Sequence, residues 1–196
     1  PRVERPVVIT PDQVERAKRI VDTHRYRVRP GMIGVVNVLP DDADAAAKAR
    51  ILDHDYAHLV KDSLTPLLPL EPILSELRAM GLKLGVATND SHVSASNHMV
   101  HIGVIEHFED IIAADTVPVP KPSGNMIRRF AEITGVAVSA IAMVGDNHHD
   151  MEEARNGGAG LAIAVLSGNA AREDIAHLAD YTIASVADLP ALLRTL

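Results

Sequence analysis

Cysteine and tryptophan are absent from this 196-residue chain, and its aromatics are two Phe and three Tyr. Without cysteine there are no disulfides and no thiolate metal sites; a reducing compartment is permitted but not required. Aromatics at 3% supply neither a base-stacking platform nor an aromatic sugar cleft. An excess of positive charge is missing too: 19 basic residues face 26 acidic ones, for a net charge of −7. Nucleic-acid backbones want clustered Lys and Arg. The longest basic cluster, Arg25-Tyr26-Arg27-Val28-Arg29, is short and reads as a solvated face. No apolar run is long enough to cross a bilayer, and no secretory signal pattern is present. The expectation is a cytoplasmic protein with neither a nucleic-acid nor a membrane partner.

What is there is 47% hydrophobic, enough for one good core, or for a core domain and a small accessory domain. Residues 11–21, "PDQVERAKRIV", read as a helix with Thr10 as N-cap and Pro11 at the first helical position. "GMIGVVNVLPDD" is ambiguous between strand and loop. Residues 44–64 carry Ala47, Ile51, Leu52, Tyr56, Leu59 and Val60 at helical spacing. The proline-punctuated "TPLLPLEP" marks the best boundary, dividing a helical region 1–66 from a domain 67–196.

Past that boundary a unit recurs. The pattern predicts helices over 73–80, 91–102, 125–134 and 151–156, ended by Gly81, Gly103, Gly135 and Gly157. An apolar strand goes with each: "KLGVAT", "DIIAAD", "AIAMVGD" and "LAIAVLSG". This alternation predicts an α/β fold, a doubly wound, Rossmann-like parallel sheet covered on both faces. Right-handed crossovers then place every strand's C-terminal end on one edge, where open α/β sheets bind ligands.

Those ends carry Thr88-Asn89-Asp90, then Asp115 followed by Lys121, then Asp146 and Asp150. Each has a structural reading: Thr88, Asn89 and Asp90 as caps, Lys121 as a surface lysine, the acids as first-turn residues of a helix. Together they point elsewhere. A hydroxyl backed by a helix N-terminus receives phosphate oxygens, a lysine adds compact positive charge, and two carboxylates around a tight turn suit Mg²⁺. Lys121 lies between Pro120 and Pro122, which biases it away from helix.

In these segments the chain resembles the haloacid dehalogenase-like hydrolases, especially their phosphoglycolate-phosphatase-like branch, over about residues 67–196. "LGVATND" is similar to the second family motif, "PKPSGNMIRRFAEITGV" to the third and "MVGDNHHDMEEARNGGAG" to the fourth. "VLSGNAAREDIAHLADYTIASVADLPALL" follows the family's closing pattern. The resemblance implies a Mg²⁺-dependent hydrolase of a small phosphorylated metabolite, with a small helical cap. Thr88 and Lys121 would be catalytic, Thr88, Asn89 and Lys121 would bind phosphate, and Asp146 and Asp150 would serve the metal.

The family's nucleophile, the first Asp of an Asp-x-Asp after the first core strand, has no counterpart after "PVVIT". Asp42-Ala43-Asp44, after the apolar "IGVVNVLP", is the candidate pair, but Pro40 precedes it and no Gly-Thr follows. Three readings stand: a fragment whose nucleophile strand is missing, which the family architecture favours; a nucleophile-less relative that binds or regulates; or service by Asp42 and Asp44. His148 and His149, inside the acid turn, suggest a transition-metal site with Asp146, or else loop residues that tune the metal. His92, His98, His101 and His107 read as surface or interface residues. Met80, Met99, Met126, Met143 and Met151 read as core filler.

Overall fold

The computed structural model describes residues 66–168 and 170–196. The expected helices over 11–21 and 44–64, the cap region 1–66 (but for its last residue) and Asp42-Ala43-Asp44 lie outside them. Helix α1 (Glu71–Ala79) has a proline in its first turn and buries Leu74 and Leu77. Then follow β1 (Gly85–Ala87), α2 (His92–His101), β2 (Asp110–Ile112) and α3 (Asn125–Thr134). After these come β3 (Ala142–Gly145), α4 (His148–Gly157) and β4 (Leu161–Val165). The short α5 (Arg172–Ile175), β5 (Tyr181–Ile183) and α6 (Leu189–Leu193) complete the described chain. Among the described residues, no helix is long and apolar enough to cross a membrane.

All strand pairs are parallel, and the described strands form two groups, β1–β2 and β3–β4–β5. The two-residue period of the strands sorts side chains between two cores. Met143, Ala162 and Ala164 pack with Ile127, Met151, Ala154 and Ile175 from α3, α4 and α5. Val144, Ile163, Val165 and Ile183 face the other way, onto Leu77 of α1 and Leu189 of α6. Both groups of strands share these layers: Ala87 of β1 joins the first core, and Leu84, just before β1, joins the second. This is the doubly wound α/β arrangement that the alternation predicts.

The predicted boundaries hold closely for α2 and α3 but not for α4. That helix starts at His148 instead of 151, because Asn147 caps it: its side chain accepts the His149 N–H at 3.1 Å while Asp150 Oδ2 accepts the Asn147 N–H at 3.1 Å. His148 and His149 are therefore first-turn helix residues, not loop residues. Nor does Gly157 end α4. Gly158 does, in the left-handed region at φ +82°, and Gly157 lies within the helix against α3. A Cβ on Gly157 would stand 2.6 Å from Cβ of Ile127. Of the methionines expected in the core, Met126, Met143 and Met151 are buried.

Two polar contacts hold α4 in place. Fully buried Glu153 accepts N–H bonds from Gly124 (2.6 Å), Met126 (2.8 Å) and Ile127 (3.3 Å), capping α3 from a neighbouring helix. Gly124, at φ +82°, offers no side chain for the task. At the other end, Arg155 grips Asp180 through both Nη atoms (3.1 and 2.9 Å) and the Leu178 carbonyl at 3.1 Å. Asp180 also accepts the Ala162 N–H at 2.8 Å. The Arg155 hydrogen bond, and after it the Ala162 amide, hold the Asp180 carboxyl below its ordinary value of 3.8.

Glu153→Ala is expected to cost about 3 kcal/mol or more, since it strands buried donors that cost roughly 1–3 kcal/mol each. Glu153→Gln, which keeps an acceptor oxygen, should cost less. Urea midpoints at unchanged slope measure both. A lowered folded pKa makes the Asp180 contribution complete above the unfolded value and lost as pH falls through the folded one. Asp180→Asn should therefore lower the urea midpoint at neutral pH, and the difference from wild type should close under acid.

Candidate active site

The first of the converging strand ends is that of β1. After Ala87 the Thr88 N–H still pairs with the Ile112 carbonyl at 3.0 Å, then the chain turns. The Thr88 hydroxyl accepts the Asp90 N–H at 3.1 Å, and Ser91 caps α2 by accepting the Ser94 N–H at 3.3 Å. Asp115, at the end of β2, accepts the His92 N–H at 2.8 Å. That acid serves α2 as a cap, the structural role.

Lys121 reaches the same place from the loop between β2 and α3. Its backbone is clamped by Asn89, whose Oδ1 accepts the Lys121 N–H at 3.0 Å and whose Nδ2 donates to the Lys121 carbonyl at 3.2 Å. The Lys121–Pro122 peptide is cis, and Lys121 opens a turn. Asn156 of α4 donates to the Pro122 carbonyl at 2.7 Å, and Arg128 donates to the carbonyls of Ser123 (2.9 Å) and Asn156 (2.8 Å).

With its backbone held, Lys121 sends its ammonium to two acceptors: the Ala87 carbonyl at 2.9 Å and Asp150 Oδ1 at 2.6 Å. Both side chains are nearly buried, at 12% and 7% exposure. A lysine ammonium has three donors; among the described residues two are committed. Asp150 is fully engaged as well, one oxygen on Lys121 and the other on the Asn147 N–H. It thus fills the helix-capping role and the Lys121-orienting role at once.

Asp146, at the end of β3, is half-buried. It lies close against the loop after β4: a Cβ on Gly168 would collide with its Oδ2. Gly145 plays the same part for Asp150, whose Cβ, Cγ and Oδ2 would all clash with an added Cβ. These two glycines let the carboxylates fold back against the main chain. The Thr88-Asn89 turn, Lys121 and Asp150 are thus joined by hydrogen bonds, with Asp146 on the adjoining turn. Sequence reasoning misses Glu153 and Asn156, which hold the Lys121 loop against α4. The signal for Glu153 is its place between Met151 and Ala154 on the inward side of the helix. A surface groove lined by Thr116, Asn125 and Arg129 contains none of these groups.

Comparison with known proteins bears on the family and the fold. The family model for haloacid dehalogenase-like hydrolases matches residues 30–164. The phosphoglycolate phosphatase of Chromobacterium violaceum is 30% identical over 178 residues, 87% of this chain and 79% of that protein. That of Neisseria meningitidis is 28% identical over 166 residues, 79% of this chain and 70% of its own. A solved hydrolase from Pseudomonas syringae has a TM-score of 0.68 at 22% identity, covering 81% of this chain and 76% of that one. At that identity the last likeness concerns the fold.

Gly145→Ala should push the Asp150 carboxylate off Lys121 and cost about 1–3 kcal/mol, the usual range for overpacking. In the double variant Gly145→Ala/Asp150→Gly the clashing Cβ, Cγ and Oδ2 are all removed, so its loss should be less than the sum of the two single losses. Strict additivity in urea unfolding would separate Gly145 from Asp150.

Proposed function

The chain belongs to the haloacid dehalogenase-like hydrolase family, and from that premise we propose that it is a Mg²⁺-dependent phosphatase of a small phosphorylated metabolite in the cytoplasm. The observation that carries the reading is the Lys121 ammonium, held between the Ala87 carbonyl and Asp150 beside the Thr88-Asn89 turn. A cation fixed at a sheet edge, with a hydroxyl and a helix N-terminus nearby, fits a phosphoryl group. The names of the two curated relatives support a short phosphorylated acid such as phosphoglycolate as the substrate. Region 1–66 would act as a helical cap that selects it, over the core 67–196.

In this reading the Thr88 hydroxyl and Asn89 receive phosphate oxygens, and the third donor of Lys121 neutralises them. Asp146 and Asp150 form the metal side. Their hard oxygens at a polar turn suit Mg²⁺, which takes few protein carboxylates and keeps several waters. Asp146 would be the direct ligand. Asp150, with both oxygens engaged, would act by orienting Lys121 or through a metal-bound water. Bound there, Mg²⁺ would supply charge stabilisation at the transferring phosphoryl group.

Family chemistry also needs a carboxylate nucleophile, which splits hydrolysis into two easier steps. No Asp-x-Asp occurs in residues 66–196. We place the nucleophile on a strand between β1 and β3, which would join the two groups of strands and end beside Lys121. The proposal takes that strand to be missing from this sequence, so turnover by the chain as given should be poor.

The test has a binding arm and a turnover arm. By calorimetry, Asp146→Asn should weaken Mg²⁺ binding. Lys121→Ala should weaken inorganic phosphate about tenfold or more, as fits the loss of a charge-assisted hydrogen bond worth roughly 1.5–3 kcal/mol. Arg129→Ala should do neither. With an aryl phosphate and Mg²⁺, extension upstream by a strand ending in Asp-x-Asp should raise turnover by orders of magnitude, while Asp42→Asn should change nothing. Phosphate and Mg²⁺ binding that ignores Lys121 and Asp146 would overturn the site. Fast turnover abolished by Asp42→Asn would move the nucleophile to residue 42.

A further inference from the structure

The histidine pair is put to no use by the phosphatase reading, and its surroundings are not those that the sequence suggests. Sequence alone pairs His148 and His149 with Asp146. The structure pairs them with Glu152. Because α4 begins at His148, helical spacing applies: Glu152 is four residues from His148 and three from His149, the two separations that put side chains on one face. Adjacent residues on a helix normally diverge, yet here the two rings meet, with centroids 3.9 Å apart and planes tilted by 43°. One ligand atom from each of the three residues lies within 4.8 Å of the others.

A second observation shows that the cluster is unfinished as a hydrogen-bonding group. The Nδ1 atom of His149 is buried and has no hydrogen-bond partner. The nearest carboxylate oxygen, Glu152 Oε2, stands 3.6 Å away, beyond hydrogen-bond reach. A ring nitrogen and a carboxylate that face each other across such a gap are what an intervening cation would join. The His149 and Glu152 side chains are 46% and 45% exposed, so modest rotations remain open to them. Tetrahedral zinc, with bonds of about 2.0–2.1 Å, needs its ligand atoms roughly 3.3 Å apart, a small contraction from the present spacing.

We propose that His148, His149 and Glu152 form a transition-metal site on the first turn of α4, separate from the carboxylates of the acid turn. Two imidazoles and one carboxylate suit Zn²⁺, Co²⁺, Ni²⁺ or Cu²⁺, whereas Mg²⁺ prefers all-oxygen sites. Three protein ligands leave a coordination position for solvent or for a further ligand. The positive end of the helix opposes a cation there, which makes the site one of moderate affinity. The proposal does not depend on the phosphatase reading. The structural reading of the same residues is a ring contact and a weak surface ion pair, which would take up no metal.

The untagged chain, stripped with chelator, is titrated with Co²⁺ while the visible d–d absorption is followed, and then with Zn²⁺ as competitor. One equivalent of Co²⁺ should bind, be displaced by Zn²⁺, and persist in excess Mg²⁺. His149→Ala and Glu152→Gln should each weaken Co²⁺ about tenfold or more, at least the loss seen when a mere supporting residue of a metal site is removed. His101→Ala and Asp146→Asn should leave it unchanged. Circular dichroism verifies folding, and His148→Gln gives an independent third variant. Cobalt affinity equal across wild type, His149→Ala, Glu152→Gln and His148→Gln would overturn the site. So would cobalt removed by Mg²⁺ or by Asp146→Asn, which would assign the metal to the acid turn. Neither readout involves hydrolysis, so the outcome is independent of whether the chain is a phosphatase.

Discussion

A carboxylate with no exposure to water fixes the arrangement of the site. A helix begins with four backbone N–H groups that lack intrahelical partners. Helix α3 begins at a left-handed glycine that contributes no cap of its own, and Glu153 takes its first donors from across the interface. An acid at a helix N-terminus also suits the dipole. Burial of the charge is tolerable because the hydrogen bonds compensate for lost water. The two helices are thereby locked in register, and Lys121 lies just ahead of the locked end.

The same helix repeats this hold. Asp150, Glu153 and Asn156 are spaced three apart along α4, and they reach, in turn, the Lys121 ammonium, the start of α3 and the Pro122 carbonyl. Side chains three apart lie near one face of a helix. One stripe of α4 therefore grips the whole segment that delivers the lysine. Behind it, Met151 and Ala154 bury the opposite flank against the strands. Alternation along β3 and β4 then divides the apolar side chains between two layers, which fixes the plane of the sheet and puts the strand ends on one edge.

Much of this is legible in the sequence. Glycines after apolar-periodic runs locate α1, α2 and α3 because a left-handed C-terminal residue is costly for anything with a Cβ. Strand ends indicate which polar residues meet. The start of α4 is harder to place, although Asn147 and Asp150 have the spacing of a reciprocal cap. Apolar periodicity, weak across two histidines and an acid, obscures that signal. Gly157 is ambiguous because adjacent glycines look alike in sequence, and only packing tells the one that ends a helix from the one that lets two helices approach. Glu153 is invisible for a different reason. An acid in a helix is ordinarily a solvent residue, and the partner that makes it internal is a backbone terminus, which has no letter of its own.

The stripe on α4 also has a kinetic meaning. Hydrogen exchange follows the cooperative units of a protein rather than its individual bonds. The amides of Gly124, Met126 and Ile127 are bonded to a side chain in the middle of another helix. They become exchangeable only when α4 moves away or α3 unravels, so the lysine-bearing loop, though irregular in conformation, breathes with the slow core and not with the surface. Lys121 is thus held by the slow core, and an anion bound as proposed would find its counter-charge already in place instead of having to recruit it.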